Sequence, residues 1–346
     1  MKILIIKRDK IGDLLLTTPM LAHLRRALPR AQIHLLANDY NAWVAGGNPN
    51  IDRLWVYPRV RTGKRISLKA AWTTWNINRA LKAEGFDVAV VGNSAESQRA
   101  IERGASLGAV RVIASFPAGK QYRGVTDRID FDPRRHEVEA MIALLAPLGV
   151  EPPQRSTYPE FHLPPDWQGD AEDWLAGQGL APHGYAVIGL GARRAKKQPT
   201  RDQVLRWSAW FAAQGLKTVF MWTPGKSDNP LYPGDDEVAQ PVLDAASPDI
   251  VPFRGALKPA IGLIWNAAFS IFPDSGLMHF AAASPGGVLG LFAETDISPH
   301  PDQWGPRGAR AGYLEAQKSV GELSDTDVFA SIKHLMHLPP APLQAA

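Results

Sequence analysis

Short aliphatic runs alternating with amphipathic segments, in two series, constrain this chain more than any other feature. The first series places strand-forming runs at Lys2 to Lys7, Gln32 to Ala37, Arg53 to Tyr57, Phe86 to Gly92 and Val110 to Ala114. Helical periodicity fills the intervals: one segment ends at Ala27-Leu28-Pro29, another runs from Leu68 to Glu84 and closes at Gly85, and a third runs from His136 to Leu148 before Gly149. Parallel strands need long crossovers, so strand and helix in alternation predict a parallel sheet with helices on both faces.

The series stops at EPPQRSTYPEFHLPPDW, residues 151–167, where five prolines fall within 17 residues. Proline at that density resists both helix and central strand, so this stretch reads as a linker. The alternation then restarts, with strands at Tyr185 to Leu190, Lys217 to Trp222, Phe269 to Phe272 and Gly287 to Phe292. Helices are expected at Arg201 to Ala213, Pro259 to Ala268, Leu277 to Ala283 and Asp325 to His337. The fold class is therefore α/β, two Rossmann-like lobes with parallel sheets facing a central cleft. The boundaries are 1–150 for the first lobe, 151–182 for the linker region, 183–323 for the second lobe, 324–337 for a terminal helix and 338–346 for a disordered tail.

A length of 346 residues agrees with two cores. The 38 Lys+Arg against 34 Asp+Glu leave a net charge of +4, too little to argue for nucleic acid, but suited to an anionic small ligand or an acidic membrane surface. Cysteine is absent, which removes disulfides, thiolate metal sites and cysteine nucleophiles together and is compatible with a reducing cytoplasm. The run Ile3 to Ile6 is too short for a signal-peptide core, and no run approaches the ~20 apolar residues that span a bilayer, so a cytoplasmic protein is expected. The 11 tryptophans are scattered, which suits core and half-buried positions, with a few left for sugar or membrane contact.

Three loops stand where strands end. After the first strand, Arg8-Asp9-Lys10-Ile11-Gly12-Asp13 breaks an aliphatic run into charges before helical periodicity resumes. In an open parallel sheet the ligand crevice lies beyond the carboxyl ends of the strands. Asp13 either caps the following helix or projects into that crevice, and Thr18-Pro19 offers a competing helix start. FPDSGLMHFAAA, residues 272–283, ends a strand and opens a helix whose N–H groups suit a phosphate; alternatively Asp274 or Ser275 merely caps, and His279 is an ordinary helix histidine. GLGARRAKKQPT, residues 189–200, follows the first strand of the second lobe. Its glycines permit close backbone approach, and Arg193, Arg194, Lys196 and Lys197 offer charge for a diphosphate or simply form a solvated basic loop. His162, His183 and His300 stand isolated. His-Glu-x-x-His, Cys-x-x-Cys and Gly-x-Ser-x-Gly are all absent, which leaves no case for zinc chemistry or a serine hydrolase.

These residues carry a family resemblance. KILIIKRDKIGDLLLTTPMLAHLRRALPRAQIHLLA, with NPNIDRLWVYP after it, resembles the amino-terminal lobe of the bacterial heptosyltransferases, glycosyltransferase family 9. IGLGARRAKKQPTRDQVLRW and FPDSGLMHFAAASPGGVLGLFAETD, followed by QWGP, resemble the nucleotide lobe of the same family. The resemblance implies a GT-B fold and a metal-independent inverting transferase without a cofactor. It also implies a nucleotide-sugar donor, usually ADP-heptose, and a lipid-linked lipopolysaccharide inner-core acceptor reached from the cytoplasmic face of the inner membrane. Position by position, it makes Asp13, beside Gly12, the general base, ionised near neutral pH because a free aspartate titrates at about 3.9. Lys196, with Arg193, becomes a donor-phosphate contact and Asp274 the acid near the donor sugar. Ser275, Gly276, Leu277, Met278 and His279 become the diphosphate-binding turn, and closure of the cleft would exclude water from the donor.

The chain departs from the family pattern in two places. Gln198-Pro199 stands where the family has a bulky aromatic before the proline. MWTPGKSDNPLYPGDDEVA is longer than the usual Gly-Glu turn, which leaves the nucleoside contact open between Asp228 and Glu237. The basic stretch VRTGKRISLK, residues 60–69, offers Arg61, Lys64 and Arg65 to anionic lipid or acceptor phosphates, or to solvent. Three alternatives remain: a transferase of the same fold using another nucleotide sugar for capsule or another surface glycan, a non-catalytic nucleotide-sugar-binding protein, and a nicotinamide-dependent oxidoreductase. The last is disfavoured by the missing Gly-x-Gly-x-x-G after the first strand. Related enzymes that modify proteins with heptose carry a cysteine-bound iron site, which a cysteine-free chain cannot make.

Overall fold

The computed structural model describes residues 1–62, 65–93, 96–191, 194–229, 233–296 and 299–340, which fall into two compact units, Met1–His162 and Leu163–Ala346. Arg193, Lys64 and the last residues of the expected tail, 341–346, lie outside the described residues.

In the first unit the strands are β1 (Lys2–Ile6), β2 (Gln32–Asn38), β3 (Arg53–Tyr57), a small hairpin of β4 (Arg61–Thr62) and β5 (Arg65–Ile66), then β6 (Val88–Val91), β7 (Arg111–Phe116) and β8 (Asp127–Asp130). The helices are α1 (Ile11–Leu15), α2 (Thr18–Ala27), α3 (Leu68–Ala83), α4 (Gln98–Ser106) and α5 (Glu137–Ala143). The sheet has six strands in the order β3-β2-β1-β6-β7-β8, all parallel.

The second unit repeats the plan with β9 (Tyr185–Gly189), β10 (Lys217–Met221), β11 (Ile250–Phe253), β12 (Phe269–Pro273), β13 (Val288–Ala293) and β14 (Ala311–Ala316). Its helices are α6 (Pro165–Gly177), α7 (Arg201–Ala212), α8 (Asp236–Leu243), α9 (Leu257–Trp265), α10 (Gly276–Ala283), α11 (Pro301–Trp304) and α12 (Asp325–His337). Its six parallel strands run β11-β10-β9-β12-β13-β14.

Each sheet is the doubly wound order that reverses next to its first strand, at β1/β6 and at β9/β12. In such sheets the crevice at that reversal, beyond the carboxyl ends, takes the ligand. The continuous aliphatic character of β1 and β9 follows from the same order. Ile3, Leu4, Ile5, Ala186, Val187 and Ile188 are fully buried, because a central parallel strand is covered on both faces.

The pattern reading missed several elements. Strand β8 reads DRID, half-exposed at a sheet edge, and lacks the apolar run that marks a buried strand. Helix α6 starts inside the proline-rich stretch, because Pro165 occupies its first position, where the missing N–H costs nothing. The helix expected from His136 to Leu148 stops at Ala143. A separate 3-10 turn, Ala146–Leu148, carries Pro147 and ends on Gly149 at φ +73°.

One glycine is required by packing at the second reversal. A Cβ on Gly189 would stand 2.1 Å from Cε1 of Phe272, a fully buried ring on β12. Gly189→Ala is expected to destabilise the fold by about 1–3 kcal/mol through overpacking, read as a lower denaturation midpoint with an unchanged slope.

Candidate functional site

The loop after β1 is tied down by carboxamides. Asn38 Nδ2 donates to the Arg8 carbonyl at 2.6 Å and Asn41 Nδ2 to the Asp9 carbonyl at 3.1 Å. Asn93, which follows β6 on the other side of the reversal, donates from Nδ2 to the Asp9 carboxylate. The loop between β1 and α1 is thus held from both sides, its backbone from the β2 side and the Asp9 side chain from the β6 side.

Lys7 leaves the end of β1 with its side chain wholly buried. Its ammonium lies 3.3 Å from Asp9 Oδ2 and 3.3 Å from Glu137 Oε1 at the start of α5. Burial by itself would lower its pKa, but Glu137, Asp9 and Asp13 outweigh burial and hold the ammonium well above the usual lysine range.

Asp13 is not a cap. The N-cap of α1 is Lys10, whose side chain makes no capping bond, and Asp13 sits in the first turn beside buried Gly12. Thr17, not Asp13, precedes the second helix, where Pro19 occupies one of the first two positions. Burial pushes the Asp13 carboxyl up from the ordinary 3.8 to about 6. Asp9 and Glu137 add to the shift, and Lys7 and Lys10 oppose it. The expectation of a free-aspartate titration is therefore corrected: the carboxylate is still the main form at pH 7, but it is a stronger base than an exposed one.

In the second unit, the segment after β9 closes in a 3-10 turn, Ala195–Lys197, and its two lysines diverge. Lys196 is largely exposed and donates to Glu294 Oε1 at 3.0 Å; Arg194 approaches the same carboxylate at 3.8 Å. Lys197 is buried, and its ammonium lies 3.7 Å from Asp274 Oδ2 at the end of β12. Among the described residues it makes no hydrogen bond. A buried cation left in that state is costly unless a further partner completes it.

Ser275 caps α10, its Oγ accepting from the Met278 N–H at 3.4 Å. A Cβ on Gly191 would lie 3.1 Å from that Oγ, so the glycine is what lets the β9 loop approach the α10 start. The side chains of the expected diphosphate turn have different fates. Met278 packs into the core and His279 is buried, so from these residues the turn can offer only backbone N–H groups, with Gly276 and Leu277 first in line. Gln198, in place of an aromatic, donates from Nε2 to Asp235 Oδ1 at 2.7 Å.

Both acids weighed for the nucleoside contact are exposed. Asp228 lies on the loop after β10, and Glu237, at the start of α8, accepts from Ser227 Oγ at 2.8 Å. Asp236 between them is structural: hydrogen bonds from Arg254 and Trp222 hold it well below the carboxylate range, and it also accepts from the Gly225 N–H. Arg61 and Arg65 fall on the β4–β5 hairpin.

Sequence reasoning missed Lys7, Glu137 and Glu294, and it named Lys197 only as one of four basic residues of its loop. Lys7 had a local signal, a charge at the end of an aliphatic strand. Glu137 had none, because its partner is 130 positions away. Among the described residues, no group of three or more His, Cys, Asp or Glu could hold a metal ion.

A model of glycosyltransferase family 9 (heptosyltransferase) matches residues 74–330. The chain is 24% identical over 298 residues to lipopolysaccharide heptosyltransferase 3 of Escherichia coli, covering 82% of this chain and 81% of that one. Among solved structures, a family 9 glycosyl transferase from Veillonella parvula superposes with a TM-score of 0.80 at 22% identity, covering 97% of each chain. An E. coli ADP-heptose lipopolysaccharide heptosyltransferase II superposes at 0.73 with 18% identity, covering 97% of this chain and 98% of that one.

Two outcomes test the electrostatics. Asp13→Asn should stabilise the protein at pH 7.5 by on the order of 1 kcal/mol, less than the full shift implies because the side chain keeps some access to water. The folded pKa is the raised one, so the cost is present above about 6 and disappears as pH falls toward 3.8; thermal unfolding should show the gain shrinking across that window. Lys7→Met should cost about 3–5 kcal/mol, because it removes the buried cation that Glu137 and Asp9 face.

Proposed function

The chain belongs to glycosyltransferase family 9, the heptosyltransferase family, and from that premise we propose that it transfers a heptose from ADP-heptose to a lipid-linked lipopolysaccharide core acceptor with inversion. One observation carries this reading. At equivalent strand ends of the two units, one unit holds a carboxylate raised to about 6, and the other holds a buried ammonium beside a helix start.

An inverting transfer forms a bond between the acceptor oxygen and the donor anomeric carbon, while the bond from that carbon to the diphosphate oxygen breaks on the opposite face. Asp13 takes the acceptor's proton as the bond forms. A base with a pKa of about 6 combines near-complete ionisation at neutral pH with appreciable proton affinity. The diphosphate leaves with the electron pair. Its growing charge is met by Lys197, by Lys196 once released from Glu294, and by the first N–H groups of α10 at Gly276 and Leu277. Asp274 holds Lys197 in place and stands at the end of β12, where the donor sugar is expected. On this reading no metal is needed, because the protein's own cations and dipole supply the compensation. Glu237 or Asp228 makes the nucleoside contact. Arg193, in the same loop as Lys196, is a further phosphate contact.

The donor is supported by the name of the E. coli ADP-heptose enzyme and the acceptor class by that of the curated E. coli relative. A lipid-linked acceptor would bring the protein to the cytoplasmic face of the inner membrane. No helix among the described residues is long and apolar enough to cross a membrane, so contact would be peripheral. The favoured alternative is a transferase of the same fold with another nucleotide sugar, because the loop after β10, the proposed nucleoside contact, departs from the family pattern.

Asp13→Asn should lower turnover by about 10²- to 10⁴-fold while donor affinity changes little. Near-normal turnover would return Asp13 to a structural role. The acid limb of the pH–rate profile should turn near 6 rather than near 4, and a chelator should leave turnover unchanged. Thermal stabilisation should rank ADP above UDP and GDP; preference for either of the latter rejects the ADP-heptose donor.

A further inference from the structure

Four large apolar side chains lie open to solvent within ten residues: Ile66 is 68% exposed, Leu68 83%, Trp72 67% and Trp75 57%. Leu68, Trp72 and Trp75 follow i, i+4, i+7 spacing and share one face of α3. The same helix uses Ala70, Ile77 and Leu81 to cover the core of the first unit, so the outer stripe is not needed for folding. The stripe continues into Arg79, whose guanidinium lies 5.1 Å from the Trp75 ring centroid.

The stretch of chain that carries the stripe bears charge of one sign. Between Asp52 and Glu84 the chain has eight Lys or Arg and no acidic residue, against a net +4 for all 346 residues. Arg53 and Arg59 are paired at 2.7 and 2.8 Å with Glu84 and Asp39, which lie outside the stretch. Lys69 and Arg79 flank the apolar stripe itself.

We propose that this face of α3, together with Ile66 at the end of β5, docks the protein on an anionic lipid bilayer, with Trp72 and Trp75 seated at headgroup depth. Indole rings favour that depth because they are apolar with one polar N–H, and flanking Lys and Arg gain from the negative surface potential. Neither signal alone gives stable attachment; an apolar stripe beside a basic collar supplies two. A second copy of the chain is a poorer occupant, because a two-fold contact would set the same acid-free basic stretch against itself. The proposal extends the reading of a lipid-linked acceptor, and it is tested without any substrate.

Flotation with vesicles of phosphatidylethanolamine and phosphatidylglycerol, and with phosphatidylcholine alone, measures the partition. The wild-type chain should bind the anionic vesicles preferentially, and raised salt should weaken binding. Trp72→Ala with Trp75→Ala should reduce binding by about tenfold or more with an unchanged unfolding temperature, since both rings are exposed. Lys69→Ala with Arg79→Ala should flatten the salt dependence. Binding that survives the tryptophan pair, no binding of the wild-type chain, or a dimer that the tryptophan pair dissolves would each overturn the proposal. Turnover on a delipidated acceptor separates the two readings. If turnover is absent while vesicle binding behaves as stated, the transferase assignment fails and the docking face stands.

Discussion

Strand β1 is hydrogen-bonded along both edges, to β2 and to β6, and the site of the first unit depends on this constraint. A strand paired on both sides and covered on both faces leaves its loop nowhere to go but out of its carboxyl end. There the chain on one side turns toward β2 and the chain on the other belongs to β6. Asn38, Asn41 and Asn93 come from those two neighbours and hold the loop in place. The second unit repeats the constraint around β9, where Gly189 and Gly191 allow the close approach of Phe272 and Ser275 that the geometry requires.

Electrostatics at the two reversals work in opposite directions. In the first unit a buried lysine is balanced by two carboxylates, and a third, Asp13, is left with its charge poorly compensated. That costs stability and raises basicity, the trade expected where a fold keeps a reactive group. In the second unit the poorly compensated group is a cation, Lys197, whose nearest carboxylate stands beyond hydrogen-bond distance. The two kinds of imbalance match the two charges a group transfer develops, a proton to be accepted and an anion to be released.

Much of this was legible in the residues. The strands β1, β2, β6 and β9 are largely aliphatic runs bounded by turns, β3 is a strand-forming run that includes two aromatics, and their positions followed from the pattern alone. So did α3, capped at Ser67 and closed by Gly85, and α12, whose bounds match the pattern. Other elements were hidden for identifiable reasons. β8 alternates charge with aliphatics at a sheet edge, and α6 begins at a proline that reads as a breaker unless it is known to be the first helical residue. The basic loop after β9 was legible as a loop but not as two different lysines, because a 3-10 turn sends adjacent side chains apart.

The alternation of strand and helix, the two-unit plan and the family were determined by the sequence itself, because they rest on local periodicity and on motifs contiguous along the chain. The position of Asp13 just beyond the first strand was determined in the same way. Tertiary structure alone decided how basic Asp13 is, which lysine is buried, and which face of α3 is left open. Those properties depend on burial and on partners far off in the chain, such as Glu137 for Lys7 and Asp274 for Lys197, and no local pattern carries that information.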